Sequence, residues 1–258
     1  TISLTQPLAL NTALSSPLNA LGNHLDCYLD STAVVVSTDS GGVQPYSYLW
    51  SNSSTADSAA GLGAGSTWLQ LTDANGCTAS DTIILTEPAP LMVNVSTVSD
   101  FNGYNISCFG GDEGQASVTA TGGNGNYNYL WSNNDNKALA TGLSAATYSV
   151  TVTDSLGCST SDTVSLTEPI ALSTVLSSPL NAFGNHLDCY LDSTAVLHTA
   201  NHGGVQPYTY LWSNNSTLDS AVGLGAGTAW VVLTDDNDCT TSDTITLTQP
   251  APLMVNAS

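Results

Sequence analysis

The most constraining feature of this sequence is an eight-residue stretch that occurs three times. Pro45–Asn52 (PYSYLWSN) returns as Asn126–Asn133 (NYNYLWSN) and as Pro207–Asn214 (PYTYLWSN). The Trp of the stretch stands at positions 50, 131 and 212, which is a constant spacing of 81. Tyr and Trp alternate with other residues in every copy, and this period of two is typical of a β-strand with its aromatic side chains on one face. The chain is therefore predicted to contain three copies of one small β-domain.

The alternating aromatic residues are the candidate core of each copy. A strand that turns a Trp and a Tyr inward buries a large apolar area for its length, so it can organise a small core. The predicted core aromatic residues are Tyr48, Trp50, Tyr129, Trp131, Tyr210 and Trp212.

Prolines mark the ends of the copies. The heptapeptides TISLTQP, TIILTEP, TVSLTEP and TITLTQP recur with the same period, and the proline that ends each one cannot continue a strand ladder. We interpret the chain as a segment of a longer polypeptide. Its predicted domains are the last strand of a preceding repeat at 1–7, three repeats at 8–88, 89–169 and 170–250, and the first strand of a following repeat at 251–258.

Each predicted repeat contains six or seven short segments of alternating polarity, separated by turn signals. The clearest turn signals are the pairs Gly41-Gly42, Gly122-Gly123 and Gly203-Gly204. The pattern shows no helical periodicity, and a repeat of this length is too long for one rung of a solenoid. The predicted fold is all-β, a tandem array of three immunoglobulin-like β-sandwich repeats with a period of 81.

A second period, twice as long as the first, divides the repeats into two types. Leu14–Val34 and Leu176–Val196 are identical except that Phe183 replaces Leu21. We therefore call the first and third repeats outer-type and the second repeat middle-type.

The charge of the chain excludes several classes of partner. One Lys or Arg stands against 21 Asp and Glu residues, which gives a net charge of −20. Such a chain is repelled by a phosphate backbone and by an anionic membrane surface. The sequence also lacks the run of about 18 apolar residues that a transmembrane helix needs. We expect no nucleic-acid partner and no membrane insertion in this segment.

The six cysteines occur as two in each repeat, at one fixed spacing: Cys27 and Cys77, Cys108 and Cys158, Cys189 and Cys239. An even number at fixed positions predicts disulfides formed in an oxidising compartment. Pairing within each repeat is the favoured prediction. Pairing between neighbouring repeats, for instance Cys27 with Cys158, is the alternative that the sequence leaves open. The wide spacing offers no local pair of ligands for zinc.

Four acidic residues at predicted turns or loops are weak candidates for a metal site: Asp73, Asp112, Asp154 and Asp235. Loop oxygens suit Ca²⁺, but neither the EF-hand nor the RTX spacing is present. In the alternative interpretation these aspartates cap their own turns. The expected cofactor is none, with Ca²⁺ as the weaker alternative. Because no catalytic triad or carboxylate pair recurs, we predict no catalytic residues and no enzyme.

Two further tryptophans are candidates for contact with a partner. Trp68 and Trp230 occur only in the outer-type repeats, one position after Thr67 and Ala229, where the middle-type repeat has Tyr148. If the strand register holds, the two tryptophans face solvent. A local bulge that returns them to the core is the alternative.

The combined motif is Cys … Gly-Gly … Tyr-x-Tyr-x-Trp-Ser-Asn … Gly-Leu … Thr-Asp … Cys … Thr-Glu-Pro, and it resembles the SprB repeat family across all three repeats. That family occurs in very large surface and secreted adhesins of Bacteroidota. The resemblance implies a cell-surface or extracellular location and export by a type IX secretion system.

These observations predict a structural and adhesive segment of a very large filament that mediates attachment or gliding. The expected partners are other copies of the chain in a homo-oligomeric bundle, and surface glycans or other cells. One alternative is a carbohydrate-binding array that uses Trp68 and Trp230, because a Trp on a sheet face can stack on a sugar. A weaker alternative is a surface-layer or sheath protein.

Overall fold

A computed structural model describes residues 5–255, and β-strands are the only regular secondary structure in that range. The predicted end strands at 1–7 and 251–258 lie partly outside the described residues, and their described parts form no strand. Across the described range no helix has the length and apolar character needed to cross a membrane.

The first repeat has six strands in two antiparallel sheets of three strands each. The strands are β1 (Asn11–Ser15), β2 (Ala33–Ser40), β3 (Ser47–Trp50), β4 (Ser58–Leu62), β5 (Gly65–Thr72) and β6 (Thr78–Leu85). One sheet has the order β1-β2-β4 and the other has the order β3-β5-β6.

The second and third repeats have the same six-strand arrangement. The second contains β7 (Met92–Thr97), β8 (Gly114–Thr121), β9 (Asn128–Trp131), β10 (Leu139–Leu143), β11 (Thr147–Thr153) and β12 (Ser159–Ser165). The third contains β13 (Ser173–Ser177), β14 (Ala195–His202), β15 (Thr209–Trp212), β16 (Ser220–Leu224), β17 (Gly227–Thr234) and β18 (Thr240–Leu247). The sheet orders are β10-β8-β7 and β12-β11-β9, then β13-β14-β16 and β15-β17-β18.

These strand orders are those of an immunoglobulin-like sandwich that lacks one strand. In that fold strands A, B and E share one sheet, and strands C, F and G form the other. Here the first, second and fourth strands of each repeat share a sheet, and the third, fifth and sixth form the second sheet. The predicted all-β fold of three immunoglobulin-like repeats is confirmed.

The aromatic strand supplies the centre of each core. Trp50 is the last residue of β3, and its side chain is fully buried. Its neighbours in the core, including Val35 and Leu69, come from both sheets of the first repeat. Its indole N–H donates to the carbonyl of Ala56 at 2.8 Å, so the one polar atom of the ring is satisfied. Trp131 and Trp212 are buried in the same way. The predicted core tyrosines, Tyr48, Tyr129 and Tyr210, are half-buried.

The described chain forms two compact units. One contains residues 5–94, 118–138 and 149–162, and the other contains 95–117, 139–148 and 163–255. Each unit holds one outer-type repeat together with part of the middle-type repeat. The repeat boundaries given above stay predictions.

Candidate functional site

The two cysteines of an outer-type repeat lie at opposite ends of one strand. Cys77 directly precedes β6, whereas the loop that carries Cys27 lies beside the residue that follows β6, since the amide of Leu25 donates to the carbonyl of Thr86 at 3.1 Å. β6 has eight residues, which separates its ends by about 27 Å. A disulfide needs Cα atoms within about 7 Å. Pairing within the repeat is therefore geometrically impossible.

The disulfides instead join consecutive repeats. Cys27 is bonded to Cys158 and Cys108 to Cys239, each with a Cα–Cα distance of 5.6 Å and a sequence separation of 131 residues. Within the described residues Cys77 and Cys189 are free and exposed. The favoured prediction of intra-repeat pairs is wrong, and the alternative pairing of Cys27 with Cys158 is correct. The place where one repeat is bonded to the next, here called the joint, is the candidate functional site.

In the first joint a cysteine loop rests on a turn that a buried aspartate holds together. Oδ1 of Asp154 accepts from the amides of Leu156 and Cys158 at 3.0 Å each, and Oδ2 accepts from the amide of Asn124 at 2.8 Å. The side-chain amide of Asn124 donates to Oδ2 of Asp154 at 2.9 Å and to the carbonyl of Asp26 at 2.7 Å. Asn124 therefore links the turn directly to the loop that precedes Cys27.

A glycine pair makes room for this arrangement. Gly123 has a φ of 54°, a left-handed conformation that favours glycine. A Cβ at this position would lie 2.7 Å from Oδ2 of Asp154. The predicted turn at Gly122-Gly123 therefore brings the backbone close enough for Asp154 to accept its hydrogen bonds.

The second joint uses a different asparagine. The side-chain amide of Asn237 donates to the carbonyl of Ser107 at 3.0 Å, and its Oδ1 accepts from the side-chain amide of Asn102 at 2.7 Å. Asn102 also donates to Oδ2 of Asp236 at 2.9 Å. Asn237 is thus held from both sides by the loop that carries Cys108.

In both joints an asparagine side chain donates to the equivalent backbone carbonyl, but the two asparagines stand at different positions of the repeat. Asp26 and Ser107 each precede the cysteine of their loop, and each carbonyl accepts from an asparagine of the next repeat. Asn124 belongs to the middle-type repeat, where outer-type repeats have Val43 and Val205. Asn237 belongs to an outer-type repeat, where the middle-type repeat has Leu156. The two repeat types therefore form two chemically distinct joints.

Replacing either asparagine by the residue of the other repeat type should weaken its own joint and leave the other joint unchanged. Asn124→Val is expected to lower the equilibrium constant of the Cys27–Cys158 disulfide in a glutathione buffer by about tenfold, because a partly buried carbonyl loses its donor. Asn237→Leu should do the same to Cys108–Cys239 alone. Mass spectrometry of alkylated chains measures both disulfides at once. Equal shifts of both disulfides in either variant would contradict the separate roles.

The aspartates predicted as weak Ca²⁺ ligands have other roles in the structure. Asp73 and Asp235 are buried and accept backbone N–H groups in their turns as Asp154 does. These hydrogen bonds are those of the alternative interpretation, in which the aspartates cap their own turns. Asp112 is exposed in a loop. Between residues 5 and 255 no group of three or more His, Cys, Asp or Glu side chains is placed to hold a metal ion.

The turn hydrogen bonds make stability depend on acid pH. The amide of Val43, followed by those of Cys77 and Asn75, lowers the pKa of Asp73 from its ordinary value of 3.8 despite burial. At Asp154 burial raises the pKa, but the bonds from Asn124, Cys158 and Leu156 together outweigh it, so the pKa is lowered. A group with a lowered folded pKa stabilises the fold above its ordinary pKa and loses this effect as pH falls through the folded value.

We therefore expect the urea midpoint to fall as pH drops below 3.8. The Asp73→Asn variant should show a shallower fall over the same range, since it lacks one titrating group, and comparison of the two chains removes the effect of the other acidic residues. Parallel curves for the two proteins would show that the Asp73 turn does not carry this dependence.

The outer-type tryptophans face solvent. Trp68 is 43% exposed and Trp230 is 37% exposed, whereas the preceding Thr67 and Ala229 are buried. The pairing of β5 with β6 runs without a register shift from Gly65 to Thr72, so no bulge returns Trp68 to the core. The sequence left both orientations open, and the structure has the solvent-facing one.

Part of each repeat matches a known family model. The SprB repeat model matches residues 26–55, 104–136 and 196–217, and each matched range contains the buried Trp of its repeat. A part of each of the three repeats is thus similar to the SprB repeat. The predicted resemblance is confirmed at these three ranges, and the repeats are called SprB-type below for that similarity. The matched ranges also include the loops that carry Cys27 and Cys108, so the family pattern extends to two of the joint cysteines.

Other comparisons are more distant. No curated protein matches the chain. Solved structures that resemble it include the N-terminal eight Ig domains of Down Syndrome Cell Adhesion Molecule, at 10% identity over 94% of this chain and 48% of that chain, with a TM-score of 0.32. Extracellular domains 3–5 of Drosophila OTK match at 11% identity over 86% and 93% of the two chains, with a TM-score of 0.29. The chain thus spans about half the length of the first of these structures.

Proposed function

We propose that these SprB-type repeats are a structural and adhesive segment of a very large filament at the cell surface or outside the cell, where they mediate attachment or gliding. The observation that carries this proposal is the disulfide at each joint, with its partner 131 residues away in the next repeat. A bond that links one repeat to the next transmits force between domains without relying on a short linker alone.

The chemistry of the joint supports an extracellular location. Structural disulfides persist in oxidising compartments, and the repeat family matched here gives the expectation of export to the cell surface by a type IX secretion system. The net charge of −20 keeps the chain from binding other polyanions, including nucleic acids.

Labelling of intact cells tests the role and the location together. Fab fragments raised against the purified chain should label the surface of cells that express the protein and should block attachment or gliding. A Fab against an unrelated surface protein of the same cells is the control. Label that appears only after permeabilisation, or binding that leaves attachment and gliding unchanged, would contradict the proposal.

The exposed tryptophan supplies a contact face for a second chain. Leu49 and Ile84 are exposed on the same sheet face as Trp68, each one diagonal position away across a neighbouring strand. Such an apolar patch on a largely polar surface favours lateral contact between copies of the chain. Native mass spectrometry should show multimers that Trp68→Ala with Trp230→Ala abolishes. A strictly monomeric wild-type chain would exclude this contact.

Carbohydrate binding is a second candidate function, favoured by the same two exposed indole rings. A glycan array with the wild-type chain and the double alanine variant separates the two functions. Loss of glycan binding with assembly intact supports the carbohydrate-binding array. Loss of assembly in a protein that binds no glycan supports the lateral contact.

A further inference from the structure

The free thiol of Cys77 lies in an open groove. The groove is lined by Leu8, Leu10, Asp73, Asn75 and Cys77, among others. At the two formed joints a cysteine loop lines part of the corresponding cleft: Cys27 and Tyr28 line one together with Pro90, Leu91 and Cys158, and Cys108 and Phe109 line the other together with Leu172 and Cys239. The Cys77 groove is thus the receiving half of a joint.

The Cys77 groove has the same internal hydrogen bonds as the groove of the second joint. Oδ1 of Asp73 accepts from the amides of Asn75 and Cys77 at 2.9 Å each, and Oδ2 accepts from that of Val43 at 2.9 Å. The corresponding bonds of Asp235 at the second joint measure 3.0, 2.8 and 2.8 Å. The turn is therefore preorganised before any loop binds, which lowers the cost of docking.

The exposed groups of the Cys77 groove correspond to groups that a cysteine loop covers at the second joint. Asn75 and Cys77 are both exposed, whereas Asn237 is half-buried and Cys239 is buried, with only 9% of its surface exposed. Asn75 and Asn237 occupy equivalent positions in the two outer-type repeats. At the second joint Asn237 donates to the carbonyl before the loop cysteine and accepts from Asn102.

The residues of the groove identify which loop it fits. Asn75 and Val43 match Asn237 and Val205 of the groove that holds the Cys108 loop, and they differ from Leu156 and Asn124 of the groove that holds the Cys27 loop. The loops differ correspondingly, because outer-type repeats have Leu21 or Phe183 at the position of Asn102. An outer-type loop would leave the amide oxygen of Asn75 without the donor that Asn237 has.

We propose that the Cys77 groove is a docking site for the cysteine loop of a middle-type SprB repeat, with the sequence features of Asn102, Ser107, Cys108 and Phe109, and that it rejects the outer-type loop. The inference rests on the two formed joints and does not require the adhesive role. Docking is followed by oxidation. The thiols of Cys77 and of the loop cysteine give up two electrons and two protons to glutathione disulfide, which becomes two molecules of glutathione, and one S–S bond forms through a mixed disulfide.

Two extended chains of equal length test the proposal. One replaces residues 1–7 with a copy of the middle-type repeat (89–169), and the other replaces them with a copy of the outer-type repeat (8–88). In a glutathione buffer, each extension can form a disulfide between its first cysteine and Cys77. The equilibrium constant of this disulfide should be about tenfold higher for the middle-type extension than for the outer-type extension, because only the middle-type loop has an Asn102 that can donate to Asn75 as it does to Asn237. Asn75→Ala in the middle-type extension should remove most of this advantage.

Thiol alkylation and disulfide mapping by mass spectrometry give the readout, and the Cys27–Cys158 disulfide reports in each chain that the original part is folded. Equal bonding of Cys77 in both extended chains would overturn the selectivity. A Cys77 that stays alkylatable in the middle-type extension would overturn the docking site itself. A disulfide between Cys77 of one copy and Cys189 of another as the main product of the unextended chain would also overturn the selectivity, because Cys189 lies on an outer-type loop.

Discussion

Stretched from its ends with both disulfides formed, the chain is expected to reach a fully unfolded length of about 95 residues, or about 330 Å, against about 257 residues and about 900 Å when reduced. The force passes from Cys27 to Cys158, back along the chain to Cys108, and across to Cys239. Only the two tails and the segment between Cys108 and Cys158 extend. Single-molecule force spectroscopy with and without a reductant measures both lengths.

The chain segments closed by the two disulfides overlap, and this overlap determines how far the unfolded length changes when one disulfide is removed. Replacing either Cys27 or Cys108 with Ser removes one disulfide, yet the length should rise only to about 126 residues, because the remaining bond still spans 131 residues. Cys77→Ser is the matched control and should leave the length at about 95 residues, since Cys77 is free. An increase of about 50 residues in the Cys77→Ser chain would instead indicate intra-repeat pairs.

Replacing Trp212 by Ala is expected to lower the free energy of unfolding of the third repeat by about 3–5 kcal/mol. The ring is fully buried in a core built from both sheets, and its indole N–H donates to the carbonyl of Leu218 at 2.8 Å. Truncation leaves a cavity and an unpaired carbonyl. Hydrogen exchange of the β14 and β17 amides measures the loss in this repeat by itself.

Trp230→Ala is the matched control in the same repeat. This ring lies on the outer face of β17 and is 37% exposed, so its loss should change the free energy of unfolding by no more than about 1 kcal/mol. If the two substitutions weakened exchange protection equally, the assignment of Trp212 to the core and Trp230 to the surface would not hold.

The repeat period and the aromatic core were predictable because both depend on local pattern. Alternation along Tyr48–Trp50 places Trp50 inward, and a strand with one buried face fixes its register. The same rule predicted a solvent-facing Trp68, but the sequence could not exclude a bulge. The continuous pairing of β5 with β6 decides that question, and this pairing depends on the partner strand.

The disulfide pairing could not be predicted because a tandem array makes the cysteine spacing ambiguous. Cys27 is followed by Cys77 in its own repeat and by Cys158 in the next, and both separations recur along the array. The deciding fact is that Cys77 and the Cys27 loop lie at opposite ends of the eight-residue strand β6. That placement follows from the strand order of the sandwich.

The joint asparagines were missed for a related reason. Asn124 and Asn237 are single polar residues in loops, and their role appears only when the next repeat is in place. The available signal was the difference between repeat types, since Val43 and Val205 replace Asn124 while Leu156 replaces Asn237. Positions that distinguish the two types are therefore candidates for contacts between repeats.

Disulfide mapping of the unreduced chain tests the covalent joint most directly. Because the chain has only one Lys and no Arg, chymotrypsin is a better protease than trypsin for this purpose. After alkylation of free thiols, mass spectrometry should find peptides that link Cys27 to Cys158 and Cys108 to Cys239, with Cys77 and Cys189 alkylated. Peptides that link Cys27 to Cys77, or Cys108 to Cys158, would contradict the account.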